Sequence, residues 1–212
     1  MPFDESWGVP DLPDIPAQRH FVKGIYNLTK SLHPTRPVIG NDGWESVATD
    51  IIAIHDYDAD PQRIARRYAV ANPSVTEMLR TQRPGGRILI LDELGHEGLP
   101  IMLSEFGGIA FSRQRGSWGY SRARSADDFA ARYAALLEVV RNLPLLAGFC
   151  YTQFTDTYQE ANGLLYMDRT PKFPLEQIAI ATRGSQTEDE RRVQIKWRRR
   201  VLAMQRAGHR ES

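Results

Sequence analysis

Residues 99–108 read LPIMLSEFGG. Ile101, Met102 and Leu103 form a continuous apolar run, Ser104 and Glu105 follow it, and Gly107-Gly108 closes it. A run that is apolar on both faces suits a strand buried on both sides, as in a parallel sheet covered by helices. The same grammar recurs along the chain. RPVIGND (36–42) ends in Asn41-Asp42, DIIAIHDYD (50–58) ends in His55-Asp56-Tyr57, and LLAGFCYTQFTD (145–156) ends in Gln153, Thr155 and Asp156. GRILILDE (86–93) is a weaker strand candidate.

Helical patterns separate these runs. Between Ala17 and Leu32, Phe21, Ile25, Leu28 and Leu32 fall at i, i+4, i+7 and i+11. Residues 61–82 read as helical, with Pro61 at a first-turn position. Residues 125–142 present Phe129, Tyr133, Leu136, Leu137 and Val140 on one face, and PLEQIAIAT (174–182) gives a last short helix. VPDLPDIP (9–16) has three prolines, which forbid regular structure there. Strand–helix alternation with buried strands specifies an α/β fold. Every apolar strand ends in a polar cluster at its C-terminal end, which is where both a (β/α)8 barrel and a doubly wound sheet build their sites. No Gly-rich phosphate loop of the GxGxxG or GxxxxGK[ST] kind occurs.

Composition bounds the partners. The 212 residues are 42% hydrophobic and 25% charged with formal net charge +1, enough for one domain with a core and without a global pull toward nucleic acid or anionic lipid. One cysteine, Cys150, makes neither an internal disulfide nor a zinc pattern, and the five histidines show no metal-ligand spacing. No cofactor is expected. No apolar run approaches the roughly 20 residues of a membrane helix, and no signal peptide is visible, so a cytoplasmic location is the expectation. The basic segment 185–212 is expected to form an amphipathic tail helix with a solvated face.

Two carboxylates stand out: Glu5, after the stub PFD, and Glu105. Glycoside hydrolysis needs a pair of carboxyl groups flanking one bond, and strand-end carboxylates far apart in sequence converge at one end of a barrel. Trp7, Trp44, Tyr57, Trp118 and Tyr120 would suit stacking on sugar rings. For each of these residues the plainer role is a solvated loop, a turn or a half-buried strand end.

The motifs taken together resemble the C-terminal part of the catalytic barrel of glycoside hydrolase family 2, the family of β-galactosidases, β-glucuronidases and β-mannosidases. PFDESWGVPDL (2–12) is similar to the family's acid/base segment, PVIGNDGWE (37–45) and DIIAIHDYD to the next two strand ends, LPIMLSEFGG to the nucleophile strand, and GFCYTQFTDTYQEANGLLYMDRTPK (148–172) to the last strand and its loop. The resemblance covers residues 1–184 and implies a partial (β/α)8 TIM barrel, roughly strands four to eight, followed by the helical tail. It implies a retaining double displacement on a β-linked glycoside or oligosaccharide, with Glu5 as acid/base and Glu105 as nucleophile. Tyr57 would hydrogen-bond Glu105. Asp4, Asn41, Asp42, His55, Trp118 and Gln153 would contact the sugar, with Glu160 on the last loop. The family usually has Asn where this chain has Asp4; an ionised Asp only accepts hydrogen bonds. The resemblance also implies that sequence is missing before Met1, so that low or no activity is expected of the chain alone, along with self-association or association with a missing N-terminal part. The competing readings are a non-catalytic carbohydrate-binding or assembly half-barrel and a complete small α/β enzyme of another kind.

Overall fold

The computed structural model describes residues 1–69, 74–91, 95, 97–112 and 114–184. The tail helix expected over 185–212 lies outside the described residues. Seven strands and five α-helices follow one another among the described residues: β1 (Phe3–Asp4), α1 (Pro16–Leu32), β2 (Asn41–Asp42), β3 (Ile52–Asp56), α2 (Pro61–Arg67), α3 (Val75–Thr81), β4 (Ile101–Gly107), β5 (Ile109–Ala110), β6 (Ser121–Arg122), α4 (Ala126–Arg141), β7 (Leu146–Thr152) and α5 (Leu175–Arg183). All the strand pairs are parallel. β1 pairs with β2, β3 with β4, and β4 with β7, while β5 and β6 form a small pair beyond the end of β4. A hydrogen bond from His55 N to Gly43 O (3.1 Å) links the end of β2 to β3. These strands therefore lie in the order β1, β2, β3, β4, β7, with their C-terminal ends on one side.

The helices begin where local chemistry satisfies their first amide groups. Asp60 accepts from Gln62 N at the start of α2, Ser74 from Glu77 N at α3, and Ser125 from Asp128 N at α4. Asp127 and Asp128 in the first turn of α4 also favour its positive N-terminal end. The main core forms where Ile52, Ile54, Leu103 and Phe106 of β3 and β4 meet Ile64 and Tyr68 near α2 and Phe129, Tyr133, Leu136, Leu137 and Val140 of α4. The apolar face of α4 is thus the one its spacing predicts. Burying each such side chain contributes about 1.5–3 kcal/mol.

Five expectations need correction. Residues 61–82 hold two helices, α2 and α3, because α2 stops at Arg67. GRILILDE forms no strand among its described residues; Ile90 makes only an isolated bridge to Ser46. Residues 36–42 contribute only the two-residue β2. β7 is a strand, but none of its residues is fully buried. β4 borders it on one edge, and among the described residues no strand pairs with the other. On α1 the residue that packs inward is Val22, whereas Phe21, Leu28 and Leu32 of the periodic stripe are 52%, 54% and 78% exposed. The period identified the helix but not its buried side. β1, like β7, has one paired edge.

Candidate active site

Glu5 is placed by a turn just past β1. Glu5 and Ser6 have φ of +49° and +59°, a left-handed conformation uncommon for residues other than glycine. A buried network holds the turn. Asn41 Oδ1 accepts from Ser6 N (3.0 Å), while Asn41 Nδ2 donates to Ser6 Oγ (3.0 Å) and to Trp44 O (2.7 Å). Ser6 Oγ donates to Glu45 Oε2 (2.6 Å), and Arg87 pairs with Glu45 Oε1 (2.8 Å). The amide of Asn41 is therefore engaged inside the protein, behind Glu5. Glu45, Arg87 and Ser6 build the site without any signal in the residue order.

Glu105 reaches the same place from β4. The pairing of β3 and β4 shifts by one residue after Ile54, so that His55 lies opposite Glu105. Such an irregularity re-aims side chains at a strand end. The His55 side chain is fully buried. Its Nδ1 lies 2.9 Å from Glu5 Oε1 and 3.7 Å from Glu105 Oε2, and its Nε2 lies 3.4 Å from Asp42 Oδ1 and 4.0 Å from Asp4 Oδ1. Asp42 is itself fixed by Ser104 Oγ, which donates at 2.5 Å. Gly43, at φ +95°, leaves room for the ring: a Cβ there would lie 2.8 Å from His55 Nδ1.

Charge follows this geometry. Burial works against a charged His55, but the close approach of Asp42, the hydrogen bond with Glu5 and the charge of Glu105 outweigh it and raise the ring to about 9. Burial would raise Asp42, yet His55, Ser104 and the Gly43 amide hold it below the usual carboxylate range. Burial lifts Glu105 above its ordinary value, against the pull of Tyr57 and His55, and Asp4 is lifted in the same way.

These shifts set the pH dependence of folding. The stabilisation due to His55 is complete below its unfolded value of 6.5 and is lost as the pH rises through about 9. That due to Asp42 is present above its unfolded value of 3.8 and is lost as the pH falls below it. The melting temperature should therefore fall on the alkaline side of neutrality, by the equivalent of roughly 3 kcal/mol. In His55→Gln that alkaline fall should flatten; thermal melts across the range that still slope equally would contradict the assignment.

The aromatic wall completes the site. Tyr57 OH donates to Glu105 Oε2. Its ring stacks on Tyr120 at 3.4 Å and 2°, and Trp118 meets Tyr120 edge-on at 5.9 Å. Burial, then the bond to Glu105, keeps the Tyr57 phenol far above its ordinary range, so it stays a donor. Trp118 is half-exposed, and its backbone ties to the last loop through Trp118 N to Gln159 O (2.8 Å). In that loop Asn162 donates to Glu160 (3.0 Å), and burial, opposed by that bond and reinforced by the charge of Glu5, raises the Glu160 carboxyl. Gln153 follows the cis Thr152–Gln153 peptide, and its Nε2 is buried without a hydrogen-bond partner among the described residues. Glu5, His55, Tyr57 and Glu105 thus converge, with Asp4 and Asp42 beside them. Trp118 and Gln153 stand apart, without a hydrogen bond or ion pair to either glutamate among the described residues.

Gly108 carries this arrangement at φ +55°, where a Cβ would sit 2.4 Å from the Tyr120 ring and 2.9 Å from that of Tyr57. Gly108→Ala should displace the stacked pair and cost about 1–3 kcal/mol. A chemical melt showing no loss would contradict that packing.

A cleft of about 580 Å³ opens from Glu5, His55, Tyr57 and Tyr120 toward Trp44, Arg63 and Arg87. Asp4, His55 and Glu105 also bring one potential metal-ligating atom each within 4.8 Å of one another. In this structure both His55 nitrogens face carboxylate oxygens, Nδ1 those of Glu5 and Glu105 and Nε2 those of Asp42 and Asp4. No described helix is long and apolar enough to cross a membrane.

No family model and no curated protein matches the sequence. Solved structures do match. A GH2 β-galacturonidase from Eisenbergiella tayi bound to galacturonate superposes with a TM-score of 0.54 at 16% identity, over 82% of this chain and 32% of that one. A Bifidobacterium dentium β-glucuronidase complexed with coumarin-3-O-glucuronide gives 0.52 at 16%, over 79% and 27%. An exo-β-agarase gives 0.51 at 14%, over 77% and 21%. The chain is structurally similar to part of the family 2 glycoside hydrolases. It spans about a fifth to a third of the length of the structures it matches, and at these identities the likeness is one of fold.

Proposed function

We propose that the chain carries the two-carboxylate centre of a retaining β-glycosidase, with Glu5 as acid/base and Glu105 as nucleophile. The supporting observation is that an oxygen of each glutamate lies within 4 Å of one nitrogen of His55. The two oxygens are then no more than about 7 Å apart, in reach of the roughly 5–5.5 Å spacing of a retaining pair. The Tyr57 hydroxyl and the cationic His55 both favour an ionised Glu105, the form that attacks the anomeric carbon. Glu5 gives a proton to the departing oxygen. Once Glu105 is esterified its charge is gone, and Glu5 takes a proton from the water that releases the sugar.

In this reading β1, β2, β3, β4 and β7 stand for strands four to eight of a (β/α)8 barrel, and the site lies at their C-terminal ends. Asp4, where the resemblance expects Asn, accepts a hydrogen bond from a sugar hydroxyl instead of donating one. Because solved neighbours include a glucuronidase and a galacturonidase, β-uronides are the first substrates to try. Turnover by the chain alone should be slow, since the outer edges of β1 and β7 are unpaired among the described residues.

Trapping tests the reading even at slow rates. The chain would be incubated with 2-deoxy-2-fluoro-β-glycosyl fluorides of the glucuronic, galacturonic, galacto, gluco and manno series and examined by peptide mass spectrometry. A glycosyl adduct on Glu105 is expected. Absence of any adduct across the series, or an adduct on Glu5, would defeat it.

The unpaired edges and the exposed Phe21, Leu28 and Leu32 of α1 favour one other reading, a non-catalytic half-barrel that assembles with a second half. A stable dimer by size-exclusion chromatography with no trapping would select it.

A further inference from the structure

We propose that His55 stores the proton that Glu5 delivers, so that the acid of this site is an imidazolium–carboxylate couple and not a lone glutamic acid. The inference rests on the two-carboxylate reading above. A lone acid/base glutamate works only when its surroundings keep it protonated. Here the group facing Glu5 Oε1, at 2.9 Å, is a ring nitrogen that can itself hold the proton.

Trp44 meets that ring edge-on at 5.6 Å, and carboxylates from three elements face its two nitrogens. Asp4 and Glu5 face it from β1 and its following turn, Asp42 from β2, and Glu105 from β4. Tyr57, on the ring's own strand, gives its hydrogen to Glu105. Among the described residues, His55 is the ion-pair partner of all four carboxylates. One base with its ring buried among four acids takes the proton first. Nε2 is turned toward Asp42, which Ser104 fixes, and Gly43 leaves the ring its space. Nδ1 is thereby directed between the two glutamates.

The step balances. The Nδ1–H bond breaks as a bond to Glu5 Oε1 forms; the nitrogen keeps the electron pair, and the ring becomes neutral. Glu5, now a carboxylic acid, gives that proton to the glycosidic oxygen while the C1–O bond breaks and Glu105 bonds to C1. In the second half, the water oxygen bonds to C1 as the C1–O bond to Glu105 breaks and restores that carboxylate, while Glu5 takes a proton from the water and returns it to Nδ1. The net charge of the three side chains is unchanged by glycosylation, because the positive charge of His55 and the negative charge of Glu105 disappear together. His55 acts through Glu5 and is a positioning residue that also holds the proton.

Two measurements test this. The first needs no turnover. Imidazole nitrogen shifts of ¹⁵N-histidine-labelled chain would be followed with pH, with His55→Gln identifying the signal. His55 should be cationic at neutral pH, and its midpoint should fall by about one pH unit or more in Glu5→Gln. A ring that is neutral at pH 7, or a midpoint that Glu5→Gln leaves in place, overturns the proposal. The second compares 2,4-dinitrophenyl and methyl β-glucuronide. Dinitrophenolate leaves without a proton; methoxide does not. His55→Gln should lower kcat/KM for the methyl glycoside at least about 10-fold more than for the dinitrophenyl one, and should move the alkaline limb of the pH profile downward. Equal losses on both substrates overturn the proposal and leave the glycosidase reading standing. No trapping at Glu105 together with an intact Glu5–His55 coupling defeats the glycosidase reading and leaves the proton on His55.

Discussion

Replacing Glu105 by alanine is expected to lower glycoside turnover by about 10⁴-fold or more while leaving the fold in place. Glu105 lies opposite His55 in the strand register, accepts from Tyr57, and has a third of its side chain open to solvent. Its removal leaves the Tyr57 hydroxyl without its acceptor, which costs about 1–2 kcal/mol, and the stacking on Tyr120 keeps that ring where it is. The chemistry suffers far more, since no other group described at the site is aimed to form the covalent intermediate. Added azide should enter the vacated space and yield a glycosyl azide of inverted configuration. A variant that keeps more than about a tenth of the rate places the nucleophile elsewhere.

Asp56→Ala should be the most damaging change to stability, at about 3–5 kcal/mol. Asp56 is buried at the end of β3. It accepts from Arg67 Nη1, from Tyr68 OH at 2.9 Å, and from Asp58 N at 3.0 Å. The substitution leaves a partly buried guanidinium and a buried phenol unpaired, although Asp58, 3.3 Å from Arg67, softens the loss. Against a typical total of about 5–15 kcal/mol this is a large fraction. The same cluster ties α2 to β3 and so positions Tyr57, the next residue. Asp56→Asn, which keeps the acceptor for Tyr68, should lose about half as much. Urea midpoints check both; a loss below about 1 kcal/mol for Asp56→Ala would refute the role.

Much of this was legible from residue order. The apolar runs ending in polar clusters located β2, β3, β4 and β7, and the spacing of Phe129, Tyr133, Leu136, Leu137 and Val140 gave the buried face of α4. Glu105 stood out by its place after an apolar run, and Glu5 by its place after the stub PFD. Other features were not legible. Periodicity marked α1 as a helix, but only its neighbours decide that Val22 turns inward while Leu32 faces water. The apolar content of β7 suggested burial, which depends on what covers its second edge. Nothing in the one-dimensional pattern connects Arg87 and Glu45 with the turn at Ser6, or makes Asn41 a brace.

The sequence by itself determined where α1, α4, α5 and the strands β3, β4 and β7 form, because that depends on near-neighbour sterics and on the period of apolar residues. It also determined that acidic residues gather at the strand ends. Only the tertiary structure decided that one histidine would sit among four of them. That follows from the one-residue register shift after Ile54 and from the space beside Gly43. Protonation is set by distances between residues remote in sequence, and those distances exist only once the sheet has formed.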